Sequence, residues 1–329
     1  MIALIGLGLT LNEITEEGLK LARSCDELYL DSYTSPIPFS QKSIEDLLGK
    51  KVNLVGREDL ESDRLLDLGK KERVGLLTIG DPMSATTHSS LLDRARELDV
   101  EAIYVPGISI ITVAPALLGL QHYKFGRIVT IPHPSKGEVR SPYDQIADNY
   151  PLHSLILLDS DPPLSAEGAL SYLEAIDEGG GRIFEPDRAI CVISRARLED
   201  EEIWVGTIAE GKKKRFRSPS VLVLPGKLHF SEEEGLTRFV SGKLNLPPKA
   251  IEDRVRSEIL SRYYSITEKA LAGLKNKKLT DIEKRYLEIC KNYYKDGLYF
   301  KERGDYVRAY GAINYGHAFL DAIKIGRGE

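Results

Sequence analysis

The chain has 329 residues, 42% of them hydrophobic and 29% charged, with a formal net charge of −5 at pH 7. That length accommodates about two to three domains, and the composition is ordinary for soluble cytoplasmic proteins. The acidic balance excludes a chain-wide basic surface for nucleic acid, and no apolar run approaches the roughly 18 residues of a membrane span. No secretory leader is expected, and Cys25, Cys191 and Cys290 are scattered without metal spacing, so an enzyme of the reducing cytoplasm is expected.

Strand-like apolar runs lie at residues 2–5, 27–30, 52–55, 74–79 and 102–105. Between the first two, Ile14, Gly18, Leu21, Ala22 and Cys25 recur at helical spacing, and Leu91, Leu92, Ala95 and Leu98 do so before Ala102. Alternating strands and helices predict a mainly parallel sheet covered by helices. After Pro106-Gly107 a short apolar helix over 109–118 leads into a hinge candidate at 119–126. A second run follows, with strands at 128–131, 154–158, 189–194, 203–207 and 221–224. Its helix over 165–177 is closed by Gly179-Gly180-Gly181, since glycine accepts the left-handed capping conformation. No helix is expected between the last two strands, so this sheet is predicted to be mixed.

Composition shifts at Pro247-Pro248. Beyond it three helices are predicted over 249–274, 281–303 and 305–325, with Thr280-x-x-Glu283 as a capping box and Asp305, after Gly304, as an N-cap. Nine of the 16 tyrosines fall here, and the segment is basic while the rest of the chain is acidic. Tyrosines linking a small bundle core to its wet surface explain this, as does a docking surface for an acidic or RNA-containing partner. The predicted organisation is two α/β domains, 1–107 and 108–246, with the ligand in the cleft between them, and an all-α bundle over 247–329.

Two strands end in glycine-bearing loops, Gly6-Leu7-Gly8-Leu9 and Gly80-Asp81-Pro82-Met83-Ser84-Ala85-Thr86-Thr87-His88. Such loops place a small ligand at the carboxyl edge of a sheet, where glycine admits close backbone approach. The first lacks the third glycine of the dinucleotide fingerprint, and no phosphate-binding loop with its Gly-Lys-Ser/Thr ending is present. His88 invites a general-base role, but ordering the loop and capping the following helix is the preferred reading. His122, His133 and His229 carry no assignable role, and His317, amid apolar helical positions, reads as a packing residue. No cluster has metal spacing, so no metal is expected.

The Gly80-to-His88 block resembles that of diphthine synthases. Further matching blocks are Cys25-Asp26, Tyr33-Thr34-Ser35, Arg57-Glu58-Asp59-Leu60-Glu61, Gly119-Leu120-Gln121, Tyr123-Lys124-Phe125-Gly126, Ser141-Pro142-Tyr143-Asp144 and Pro225-Gly226-Lys227-Leu228-His229. The resemblance covers about residues 1–230. It implies a tetrapyrrole-methylase-like methyltransferase, dimeric, that binds S-adenosylmethionine between two α/β domains and releases S-adenosylhomocysteine. The implied reaction places three methyls on the amine of the 3-amino-3-carboxypropyl-histidine of translation elongation factor 2, in diphthamide biosynthesis. The implied cofactor contacts fall on Leu9, Asp81, Ser84, Ser109, Ile110, Leu158 and Ala196, with Ser220 where the family commonly carries histidine. Asp81, in an exposed loop, would accept hydrogen bonds from ribose or an amine; Ser109, at a helix start, would favour a carboxylate. No catalytic base is nominated. A second departure is Ser194-Arg195-Ala196-Arg197, where arginine replaces the glycine of the family's Ala-Arg-x-Gly. Alternatives are a tetrapyrrole or RNA methyltransferase on the same scaffold, against which Tyr33-Thr34-Ser35 and Thr86-Thr87-His88 speak, or a catalytically weak binding module.

Overall fold

The computed structural model describes residues 1–177, 183–240, 251–275, 277–302 and 305–327. The glycine cap at 179–181, Pro247-Pro248, Lys249 and Gly304 lie outside them. The chain divides into two compact units, Met1–Pro247 and Pro248–Glu329.

The first half of the larger unit runs β1 (Ile2–Gly6), α1 (Glu16–Ser24), β2 (Glu27–Asp31), α2 (Gln41–Leu48), β3 (Asn53–Val55), α3 (Arg57–Glu61), α4 (Arg64–Gly69), β4 (Val74–Thr78), α5 (His88–Glu97) and β5 (Ala102–Val105). Its five strands are all parallel, in the order β3-β2-β4-β1-β5. Every residue of β1 and β4 is buried, as befits strands covered on both faces. Ile2, Leu4 and Leu76 pack with Leu65, Leu66 and Leu91 on one face, while Ala3, Ile5 and Leu77 pack with Ala22, Ile44 and Leu48 on the other. The two-residue alternation of strand side chains divides these sets.

The second half runs α6 (Ile110–Leu118), β6 (Val129–Ile131), α7 (Ser141–Asn149), β7 (Ser154–Leu158), α8 (Ala166–Asp177), β8 (Ala189–Ser194), β9 (Glu202–Thr207), α9 (Ile208–Gly211), β10 (Ser220–Leu224) and α10 (Phe230–Thr237). The sheet order is β6-β7-β10-β8-β9, with β6 and β7 parallel and the other pairs antiparallel. One departure from expectation is α9, a single turn between β9 and β10. Thr207 caps it by accepting from the Glu210 amide, and Ile208 is buried, so local capping makes a helix in a stretch too short to show periodicity.

A buried polar knot fixes the end of this half. Glu232 is fully buried and accepts from the Gln121 and His229 amides at 2.9 and 2.7 Å and from Lys124. His153, also fully buried, accepts from the Gly226 amide at Nδ1 (2.9 Å), so its proton sits on Nε2, 3.0 Å from Glu232 Oε1. Burial pushes the Glu232 carboxyl up, but these donors, Lys124 foremost, outweigh it and bring it to about 2. His229 caps α10 by accepting from the Ser231 amide.

The smaller unit holds α11 (Ile251–Leu274), α12 (Asp281–Glu302) and α13 (Tyr306–Arg327). Leu260, Tyr264, Ala309 and Ile313 form one apolar cluster and Leu274, Cys290, Leu320 and Ile323 another. Tyrosines pair edge to face, Tyr264 with Tyr294 and Tyr293 with Tyr315, while Tyr299 and Tyr315 stay exposed. Thr280 and Glu283 form the capping box of α12, and Asp305 accepts from the Arg308 amide at the start of α13. His317 Nδ1 lies 3.0 Å from the hydroxyl of buried Thr267, a satisfied packing histidine.

Candidate cofactor site

The carboxyl ends of β1 and β4 meet where Gly8 and Gly80 exchange backbone hydrogen bonds of 3.2 and 2.9 Å. A Cβ on Gly107 would lie 2.1 Å from the Gly80 carbonyl oxygen, so three loops approach here only because no side chain intervenes. Gly8 has a φ of +75°, and a Cβ there would meet the Glu13 Cβ at 2.6 Å.

Above this junction opens a cavity of about 880 Å³, its mouth included. Leu9, Asp81, Ser84, Ser109, Ile110, Leu158, Ala196 and Ser220 all line it. The structure therefore brings together in one place every residue that the sequence nominated for the cofactor. Thr34, Ser35, Thr86, Ile79, Leu157 and Ile193 complete much of the wall. Among the described residues that line it there is no Lys, Arg or His, and Asp81 is the one carboxylate. Ser109 caps α6 by accepting from the Ile111 amide at 3.3 Å, leaving that helix start facing the cavity.

Asp81 is not the exposed loop residue expected from sequence. It is 8% exposed, and its carboxylate is saturated. Oδ1 accepts from the Met83 amide (2.8 Å) and the Ser84 hydroxyl (3.1 Å), and Oδ2 from the Tyr104 hydroxyl (2.6 Å) and the Gly107 amide (3.0 Å). Burial raises this carboxyl, but the four donors together hold it below the ordinary range. The same contact and burial push Tyr104 up to about 12. Asp81 thus ties the turn after β4 to the loop after β5, besides placing one negative charge beside the cavity.

His88 is 1% exposed and lies outside the cavity lining. Its Nδ1 is 2.9 Å from the Pro82 carbonyl, and its Nε2 is 3.1 Å from Asp31 Oδ2. Asp31, equally buried, accepts from the Tyr33 amide (2.7 Å), the Thr34 amide (3.0 Å) and the Thr34 hydroxyl. The pair pins two wall segments, the loop after β2 and the loop after β4, and leaves His88 no access to a reacting atom. Asp31 and Tyr104 were missed in the sequence. An Asp ending a buried strand just before Tyr33-Thr34-Ser35 was the available signal.

Among the described residues, no helix is long and apolar enough to cross a membrane, and no group of three or more His, Cys, Asp or Glu side chains is placed to hold a metal. Residues 1–211 match the family described as Tetrapyrrole (Corrin/Porphyrin) Methylases, and residues 262–327 match a family described as Protein of unknown function (DUF357). The chain is 36% identical to a diphthine synthase of Methanothermobacter thermautotrophicus over 270 residues, covering 78% of this chain and 99% of that protein. It is 37% identical to the diphthine synthase of Methanosarcina mazei over 258 residues, covering 74% and 97%. A crystal structure of a diphthine synthase superposes with a TM-score of 0.67 at 34% identity, covering 73% of this chain and 95% of that one. The chain belongs to the diphthine synthase family and is an S-adenosylmethionine-dependent methyltransferase of the tetrapyrrole-methylase fold, carrying additional C-terminal helices.

Proposed function

We propose that this enzyme methylates the amine of the 3-amino-3-carboxypropyl-histidine of translation elongation factor 2, adding three methyl groups on the way to diphthamide. The observation that carries the reading is the convergence of Leu9, Asp81, Ser84, Ser109, Ile110, Leu158, Ala196 and Ser220 on one cavity whose described lining holds no cationic side chain. Such walls fit S-adenosylmethionine, because a sulfonium meets the Asp81 charge and no repelling cation. The α6 start at Ser109 turns the positive end of that helix's dipole toward the methionine carboxylate. Leu9, Ile110 and Leu158 offer apolar surface to the adenine and thioether, while the Ser84 and Ser220 hydroxyls serve its polar edge. When bound, S-adenosylmethionine supplies a methyl already activated for displacement by its sulfonium.

The protein's part is then alignment and exclusion of water by the apolar wall. The attacking amine must be neutral. With His88 buried against Asp31 and no Lys or His among the described lining residues, its proton passes to solvent. We further propose a cytoplasmic homodimer. α6 is apolar on nearly every side, and Ile108 and Tyr123 beside it are exposed. The test is transfer of radiolabelled methyl to elongation factor 2 bearing the aminocarboxypropyl-histidine, with ribosomal RNA as the parallel acceptor. Label on the factor alone supports the proposal, and label on RNA overturns it.

A further inference from the structure

One contact beside the cavity joins the second α/β half to the first. Arg197 Nε lies 3.1 Å from Glu13 Oε1. The other oxygen of Glu13 accepts from the Leu9 amide at 2.9 Å and the Thr10 amide at 3.2 Å. Leu9 lines the cavity on one side, and Ala196 and Leu198, which flank Arg197, line it on the other. The Glu13 side chain is 10% exposed and that of Arg197 is 54% exposed.

The loop presenting Arg197 is braced. Its amide donates to Glu201 at 2.6 Å, Arg195 pairs with Asp200 at 2.8 Å, and the Arg195 amide donates to the Pro219 carbonyl at 2.7 Å. Arg197 nevertheless has a φ of +67°, in the left-handed region that favours glycine. Glycine would hold this turn with less strain. An arginine kept in a disfavoured conformation, with its side chain reaching the carboxylate that holds the opposite wall, points to a role for that side chain.

We infer that Arg197 is a positioning residue for the cofactor site: it locks Glu13, and through Glu13 it holds the Leu9 turn against the wall formed by Ala196 and Leu198. The inference rests on the reading of this cavity as the S-adenosylmethionine site. Arg197 touches no cofactor; it acts through Glu13 by fixing the separation of the two walls.

The test compares wild type, Arg197→Gly and Arg197→Lys by calorimetric titration with S-adenosylmethionine at roughly 0.05 M and 0.5 M salt, where screening lengths differ several-fold. For a half-exposed pair, Arg197→Gly is expected to weaken binding about two- to fivefold at low salt. The gap should close at high salt, and Arg197→Lys should recover part of the loss. The unfolding transition of Arg197→Gly, followed by Trp204 fluorescence, should not fall, because glycine relieves the backbone. Equal affinity of Arg197→Gly and wild type at low salt overturns the inference, as does a gap that persists at high salt or a loss accompanied by earlier unfolding. A wild-type protein that binds no S-adenosylmethionine removes the cavity reading itself, an outcome distinct from equal binding by both proteins.

Discussion

Asp81→Asn separates a brace from a ligand acceptor. The substitution keeps the shape but replaces one carboxylate oxygen with an NH₂ group, which can only donate. Whichever way the amide turns, it faces two donors: the Met83 amide with the Ser84 hydroxyl, or the Gly107 amide with the Tyr104 hydroxyl. The hydroxyl can rotate to accept, but the backbone N–H cannot, so one buried donor is left unpaired. An orphaned donor costs about 1–3 kcal/mol, and loss of the charge from the remaining bonds adds to it, giving about 2–3 kcal/mol in all. With a urea dependence of about 3 kcal/mol/M, the midpoint should fall by roughly 1 M. Trp204, the single tryptophan, packs against Phe216 in the larger unit and reports that unit's transition. Because the folded Asp81 carboxyl is held below its ordinary range, its stabilisation is present at neutral pH and is lost as pH falls through the folded value. The gap between the two proteins should therefore narrow on acidification. An unchanged Trp204 transition combined with a large loss of cofactor affinity would refute the brace and make Asp81 a direct acceptor.

Three further outcomes are expected. Gly8→Val, which requires a β-branched residue at a φ of +75° with its Cβ 2.6 Å from Glu13, should abolish cofactor binding and methyl transfer; an active variant measured by calorimetry and label transfer would remove this turn from the site. Glu232, brought from 4.5 to about 2 in the fold, contributes stability that is present above pH 4.5 and is lost as pH falls toward 2. Glu232→Gln should flatten that acid limb of the Trp204 transition and lower stability at pH 7 by about 2–3 kcal/mol, since His153 and Lys124 lose their counter-charge. A protein ending at Pro247 should bind S-adenosylmethionine as the full chain does, because every described residue that lines the cavity lies within the larger unit. Any loss of activity should appear as a raised KM that is less sensitive to salt, in steady-state assays with the protein substrate.

The strands were legible because both sheets bury continuous apolar runs bounded by glycine or proline, as at Leu76-Leu77-Thr78-Ile79-Gly80. The second sheet is mixed as expected, but not for the expected reason: α9 lies between residues 203–207 and 221–224, those two strands are not neighbours, and the antiparallel pairs are β7 with β10, β10 with β8 and β8 with β9. Helices α2, α7 and α10 escaped notice: Gln41–Leu48, Ser141–Asn149 and Phe230–Thr237 are short and largely polar, with few apolar repeats to reveal a period. The cavity residues were reached through their motif blocks, whereas the groups that hold them were not. Asp31 meets His88, His153 meets Glu232 and Glu13 meets Arg197 across long stretches of chain, and no local spacing encodes such pairings. Asp81 shows the same limit. A Gly-Asp-Pro turn reads as exposed until the Tyr104 hydroxyl and the Gly107 amide are seen closing over it.

The most direct measurement is a crystal structure of the protein with S-adenosylhomocysteine. The account predicts the ligand in the cavity above Gly8 and Gly80, touching Leu9, Ser84, Ser109, Ile110, Leu158 and Ala196, with the Asp31–His88 and Asp81–Tyr104 contacts intact. A ligand bound elsewhere on the chain, or one that displaces Tyr104 to reach Asp81, would contradict it.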